Sequence, residues 1–341
     1  MSELHKFLFE GLPVRGMLVR LTDAWQDILA RRQQAGGYPQ AVTELLGEMT
    51  AAATLLQANI KFNGALLLQV QGDGPVKLAV AEVNPDLSLR ATAKVVGTVA
   101  DGSLTTPTQP DGFAAHAVKL SDLVNVNGQG RCAITLDPKD RKPGQQPYQG
   151  IVPLVGEQHN KLERLSDVIQ QYMLKSEQLD TRIVLAANQE VAAGLLIQRL
   201  PLQGEANLAG QGAVQAEQDA LGQNEDYNRI AILAASLKPE ELLTLDADTI
   251  LHRLFWEEDV RRFDPQTGED GPHFACTCSR ERVGNMLRSL GVEEVESVLA
   301  EQGQVEVGCE FCGAQYTFDP VDAAALFTQP LASPPVSAAP Q

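Results

Sequence analysis

Five cysteines occur in the 341 residues, and four of them fall in two short stretches. HFACTCSRERV carries Cys276 and Cys278, and EVGCEFCGAQY carries Cys309 and Cys312, with thirty residues between the pairs. Four thiolates in a CxC and a CxxC are the donor set of a closed tetrahedral zinc site, with Zn–S near ~2.3 Å and no position left for a catalytic water. The same spacing serves redox chemistry, because each thiolate has a neighbour that can resolve a sulfenic acid into a disulfide. Three readings compete: a permanent structural metal knot, a thiol-disulfide catalyst, or a switch that uses both metal and disulfide chemistry.

The CxC sharpens the choice. One intervening residue lets fewer backbone N–H groups wrap the sulfurs than two do, so thiolates already deprotonated on a metal stay open to peroxide or hypochlorous acid. A module of about 55 residues has too little core to stand alone, so metal binding would supply folding free energy of order 10 kcal/mol, and its loss would unfold the module. A thiol-disulfide oxidoreductase would instead need CEFC at the start of a helix, where the dipole lowers the first cysteine's pKa. Here CEFC runs into Gly313 and the strand-like AQYTF.

Other catalytic signals are weak. GDGP reads as a turn and lacks the Lys-Ser/Thr of a phosphate loop. The five histidines have no metal spacing, and His273, three residues before Cys276, reads as satisfied or solvent-facing rather than as a substitute ligand. Cys132, alone in RCAITL, reads as a small buried apolar residue. The expectation is a protein that is not an enzyme.

The elements that must position the cysteines follow from local pattern. Ser279 is placed to cap a helix over RERVGNMLRSL that stops at Gly291, VEEVESVLAEQ makes a second that stops at Gly303, and Asp319-Pro320 opens a last short one. VEVGCEFCGAQYTF reads as two strands joined by a knuckle, with Gly308 and Gly313 flanking the ligands. Upstream, EDYNRIAILAASLKPEELLTLDADTILHRLFWEEDVRRF holds two helical stripes, Ile230, Leu233 and Leu237, then Ile250, Leu251, Leu254 and Phe255. Between 203 and 223 the chain turns rich in Gln, Gly, Ala and Glu, which is linker composition, and the proline-rich end TQPLASPPVSAAPQ reads as disordered.

Residues 1–202 read as one mixed α/β (α+β) unit with antiparallel strands. TDAWQDILARRQ and AVTELLGEMTAAATLLQANI have helical spacing, with Val42, Leu45, Leu46 and Met49 on one face. GALLLQVQG and VKLAVAEV form a hairpin, and LSLRATAKVVG, RCAITLDP, YQGIVPLV, TRIVLAA and GLLIQRLP supply further strands. NKLERLSDVIQQYMLKSEQ returns to helical spacing.

Charge and composition exclude whole classes. The net charge of −17 is concentrated after residue 200, where eight Lys+Arg face 24 Asp+Glu. So acidic a half repels phosphate backbones and argues against nucleic acid as partner. No stretch approaches the ~20 apolar residues of a membrane span, no signal peptide is visible, and the few cysteines suit a reducing cytoplasm.

The chain is similar to the 33-kilodalton heat-shock chaperone family, the redox-regulated holdases of the bacterial cytosol. FACTCSRERV and VEVGCEFCGAQYTFD anchor the resemblance. It extends through VRGMLVRL, YPQAVTELLGE, KFNGALLLQVQGDGPVKLAVAE, YQGIVPLVGE, SEQL and LLIQRLP to LFWEEDVRRF. It departs from the family pattern in the Gln/Gly-rich linker and the added tail.

The resemblance implies an N-terminal α/β domain (1–202), a metastable helical linker (203–268), a redox-sensing zinc domain (269–328) and a tail (329–341). It implies one zinc per chain on Cys276, Cys278, Cys309 and Cys312 in an inactive reduced form. In the active oxidised form it implies disulfides Cys276–Cys278 and Cys309–Cys312, a homodimer, and binding of unfolding proteins. The physical route expected is that the zinc module covers the two apolar stripes until oxidation unfolds it, exposing Ile230, Leu233, Leu254, Phe255 and Trp256 to clients. The rival classes are a constitutive zinc-ribbon interaction scaffold, whose metal would survive mild peroxide, and a thiol-disulfide enzyme, which would turn over a dithiol substrate.

Overall fold

A twenty-residue helix that is apolar on nearly every side must be surrounded, and α2 (Gln40–Asn59) is buried continuously from Ala41 to Gln57. Its pattern suggests one core face, but two sheets enclose it. The computed structural model describes residues 1–33, 36–99, 102, 104, 118–141, 144–156, 158–200 and 224–328, so the linker stretch 203–223 and the tail 329–341 lie outside the described residues. The chain divides into two compact units, Met1–Ala275 and the part from Cys276 onward.

In the first unit, one sheet is antiparallel in the order β10 (Val260–Arg262), β1 (Glu3–Phe9), β2 (Val14–Leu21), β9 (Ala192–Arg199) and β8 (Thr181–Ala187), with β11 (Gln266–Thr267) also on β1. The other runs β12 (His273–Phe274), β5 (Ser88–Val95), β4 (Val76–Val83), β3 (Gly64–Gln71), β6 (Arg131–Pro138) and β7 (Tyr148–Pro153), antiparallel apart from the parallel β12–β5 pair. The expected hairpin and the five further strands are present. Helices α1 (Asp23–Gln33), α3 (Leu120–Val124) and α4 (Leu165–Lys175) complete this part. Close approach of α2 to the first sheet depends on Gly47, where a Cβ would meet Ala187 at 2.5 Å. Cys132 is buried on β6, and burial pushes its thiol up to about 12, as expected of an inert core residue.

The first sheet is apolar on both faces. Leu4, Met17, Val19, Ile183 and Leu196 turn toward α2. Phe7, Phe9, Val14, Leu18, Leu195 and Ile197 turn the other way and pack on three helices: α5 (Glu225–Ala235), α6 (Pro239–Thr244) and α7 (Ala247–Phe255). Asn224 and Asp246 cap α5 and α7 through their side chains, and Pro239 opens α6. Arg20 on β2 donates to the carbonyls of Leu242 and Leu243 at the end of α6.

This arrangement corrects one expectation. The cover of the two stripes is the unit's own sheet, not the cysteine module. Ile230, Leu254 and Phe255 are fully or nearly fully buried against it, and Leu233 is partly buried. The helical segment and β10–β12 thus belong to the first compact unit, which ends at Ala275, immediately before the CxC. Trp256, just past the end of α7, is 68% exposed.

The second unit holds α8 (Arg280–Leu290), α9 (Val292–Gln302), β13 (Val305–Gly308), β14 (Gln315–Phe318) and α10 (Pro320–Thr328). Its buried apolar core among the described residues is Leu287, Val295, Val305, Phe318 and Ala323. Five buried side chains are too few to fold such a module without a further cross-link.

Candidate metal centre

Each cysteine pair is held by short-range structure. Ser279 Oγ accepts from the Arg282 N–H and caps α8, which fixes the chain direction directly after Cys278. From the first turn of α8, Arg282 reaches back to the Thr277 carbonyl at 2.9 Å, between the two cysteines of the CxC. Arg280 donates to the Thr317 carbonyl at 2.7 Å and pairs with Asp322 at 2.7 Å, tying the CxC arm to β14 and α10. The CxxC occupies the turn between β13 and β14: the Cys309 N–H donates to Ala314 O, and the Gly313 N–H donates to Cys309 O, both at 2.8 Å. Gly313 has φ +71°, the left-handed region that this knuckle needs and that glycine enters freely. CEFC is therefore a hairpin turn and not a helix N-terminus, which removes the geometric basis of a thioredoxin-like catalyst.

These supports bring all four sulfurs within 4.8 Å of one another. Cys276 Sγ lies 3.7 Å from Cys309 Sγ, and Cys278 Sγ lies 3.2 Å from Cys312 Sγ. Four sulfurs on a tetrahedron of ~2.3 Å radius sit about 3.8 Å apart, so the cluster matches zinc in number, chemistry and spacing. All four residues are partly exposed. His273 is not in the cluster; its Nδ1 lies 2.9 Å from the Gly271 carbonyl.

Without metal the thiols are not equivalent. Partial burial pushes Cys278 up, but hydrogen bonds from the Tyr316 hydroxyl, at 3.1 Å, and from the neighbouring thiols outweigh it and bring Cys278 down to about 7. Burial pushes Cys312 up to about 12, a backbone bond at Ala314 opposing and its bonding to Cys278 adding to the rise. Tyr316 is itself held up, at about 12, first by its bond to Cys278. Sequence reasoning did not find Tyr316; its only signal was its place on the strand following the CxxC.

A family model described as "Hsp33 protein" matches residues 2–319. The chain belongs to the Hsp33 family. It is 45% identical to the 33 kDa chaperonin of Chromobacterium violaceum over 326 residues, 96% of this chain and 94% of that one. The 33 kDa chaperonin of Methylobacillus flagellatus is also 45% identical, over 334 residues, 98% and 97% of the two chains. The solved structure of the 33 kDa chaperonin (Hsp33 homolog) of Thermotoga maritima aligns with a TM-score of 0.68 at 20% identity, covering 95% of this chain and 97% of that one, and shares its fold. Hsp33 membership makes this a chaperone-family chain with a four-cysteine cluster suited to zinc. Among the described residues no helix is long and apolar enough to cross a membrane.

Proposed function

We propose that this Hsp33-family chain is a redox-regulated, ATP-independent holdase of a reducing cytoplasm, without catalytic turnover, which binds unfolding proteins rather than nucleic acid or membrane. By function it divides into an α/β domain (1–202), a helical linker (203–268) and a zinc domain (269–328), whose first seven residues, with β12, fold with the first compact unit. The observation that carries this reading is the pairing of a four-thiolate cluster with a large apolar contact upstream, between the first sheet and α5–α7.

Cys276, Cys278, Cys309 and Cys312 would hold one zinc per chain, which when bound supplies the cross-link that the small core of the second unit lacks. Peroxide converts the cysteines to disulfides that no longer ligate, and the module unfolds. The Hsp33 resemblance implies that the neighbouring cysteines then pair, Cys276 with Cys278 and Cys309 with Cys312.

The message passes through the chain itself. β12 ends at Phe274, two residues before Cys276, and pairs with β5 over only two residues, supported by the bonds of His273 N to Leu87 O and Ala275 N to Leu89 O. Such a strand frays when the chain after it unfolds, and fraying continues into β11, β10 and helices of 6 to 11 residues that are not stable alone. Undocking exposes Ile230, Leu233, Leu254 and Phe255, alongside the already exposed Trp256, together with Phe7, Phe9 and Ile197 on the sheet. Either surface could hold a client, and a second copy of the chain is the alternative occupant in an oxidised homodimer.

The test is light scattering of a thermally unfolding client mixed with the reduced zinc-loaded protein or with protein pre-oxidised by peroxide. Suppression by the oxidised form alone supports the reading. Equal behaviour of both forms would favour a constitutive zinc scaffold.

A further inference from the structure

Tyr316 sits on β14 directly across from Val307, two residues before Cys309, so it belongs to the CxxC arm. Its ring packs against the second unit's small core, and its hydroxyl crosses to the other arm and donates to Cys278 Sγ at 3.1 Å. Strand register and ring packing together fix where the hydroxyl points. A phenol has one proton to give, so it marks one sulfur of the four.

We propose that Tyr316 is a positioning residue that shields the Cys278 thiolate and so sets how much peroxide the switch needs; this rests on the redox-switch reading above. In the step concerned, the Cys278 sulfur attacks a peroxide oxygen: an S–O bond forms, the O–O bond breaks, and hydroxide leaves. A neighbouring thiolate then attacks the sulfenic sulfur, the S–S bond forms, the S–O bond breaks, and a second hydroxide leaves. Two thiolates have lost two electrons, and one peroxide has gained them. The first attack needs the sulfur lone pair, and a hydrogen bond from Tyr316 draws charge from that pair and must weaken as the sulfur gives its electrons up. Groups that hydrogen-bond metal ligands in this way commonly change metal affinity or activity by tenfold or more.

Tyr316→Phe keeps the ring and removes the hydroxyl. With zinc loaded one per chain, the variant should lose metal to limiting peroxide faster, on the order of tenfold, with more sulfenic acid trapped at Cys278. Loss to a chelator under anaerobic, reducing conditions should speed up much less than loss to peroxide. In the cobalt(II)-loaded protein the thiolate-to-cobalt charge-transfer band should move to lower energy, because an unbonded sulfur gives its electrons more readily. Unchanged peroxide kinetics would overturn the proposal, and so would equal acceleration by peroxide and chelator, which would mean that Tyr316 only props the fold. If the wild type itself keeps its zinc in peroxide, the switch reading fails, while the cobalt band still reports whether the hydroxyl bonds the sulfur.

Discussion

Phe255 stands edge-on to Phe9, ring centroids 5.0 Å apart and planes at 87°. Through this pair the last turn of α7 closes over the outer face of the first sheet, with Phe7 a further 6.1 Å neighbour of the same ring. Helices α5–α7 are thus part of the first unit's fold, and the apolar face they hide is the sheet's as much as their own.

Replacing Phe255 by Ala removes both ring contacts and leaves a cavity at the buried end of α7. Urea unfolding should show a loss of about 3–5 kcal/mol in the first unit. Because α7 then docks weakly without any oxidation, the reduced, zinc-loaded variant should already suppress client aggregation in part. A variant that is less stable yet still silent when reduced would mean that undocking is not what activates the protein.

Metal removal should act on one unit first. If zinc on the four thiolates holds the second unit, then with a chelator and reductant present amide exchange should become fast across 276–328 while β3, β4 and β6 stay protected. Cys309→Ser should behave the same way without chelator. Retained protection at Leu287 and Val295 in the stripped protein would show that the unit folds by itself.

Peptide mapping of the oxidised protein separates two sequences of events. Cys276–Cys278 and Cys309–Cys312 are expected if the pairs close in an unfolding module. The folded cluster holds its nearest sulfurs across the arms, Cys278 with Cys312 at 3.2 Å and Cys276 with Cys309 at 3.7 Å. Cross-arm disulfides would therefore mean that oxidation finishes before the module opens.

Stability should also fall as pH rises through the neutral range, because of Glu48. This carboxyl lines a cavity of about 370 Å³ between α2, α4, β8 and the stretch 235–239. Burial first, and the Glu44 carboxylate second, push it up to about 8, with Arg164 opposing. Unfolded, it titrates near ~4.3. Between those values the folded state holds a proton that the unfolded state has lost, so the stabilising difference is complete below ~4.3 and declines, by up to about 1.4 kcal/mol per pH unit, as pH approaches 8. Glu48→Gln should flatten that decline in thermal unfolding run from pH 5 to 8. An identical slope in the variant would assign the pH dependence elsewhere.

What could be read from the sequence was what is local. The CxC, the CxxC, the Ser279 cap and the glycine stops at 291 and 303 are encoded within a few residues of where they act, and all take their expected places. β1 and β2 were missed because VRGMLVRL is buried on both faces and shows no alternation, while ELHKFLF interrupts its pattern with charge. The two- and three-residue strands β10–β12 carry no periodicity, and their partners β1 and β5 lie some 180 to 260 residues earlier. The covering of the linker stripes was misjudged for the same reason: a helical stripe says that something apolar covers it but not which distant surface does so. Tyr316 escaped notice because a hydrogen bond to sulfur depends on how two arms thirty residues apart come together.

Hydrogen exchange of α5, α6 and α7 before and after peroxide watches the docked helices themselves and not the metal. Oxidation should remove protection from residues 276–328 and, with it, from 225–255, while β3, β4 and β6 remain protected. Loss confined to 276–328, with Ile230, Leu254 and Phe255 still docked and clients nevertheless bound, would mean that undocking of α5–α7 is not what exposes the client surface.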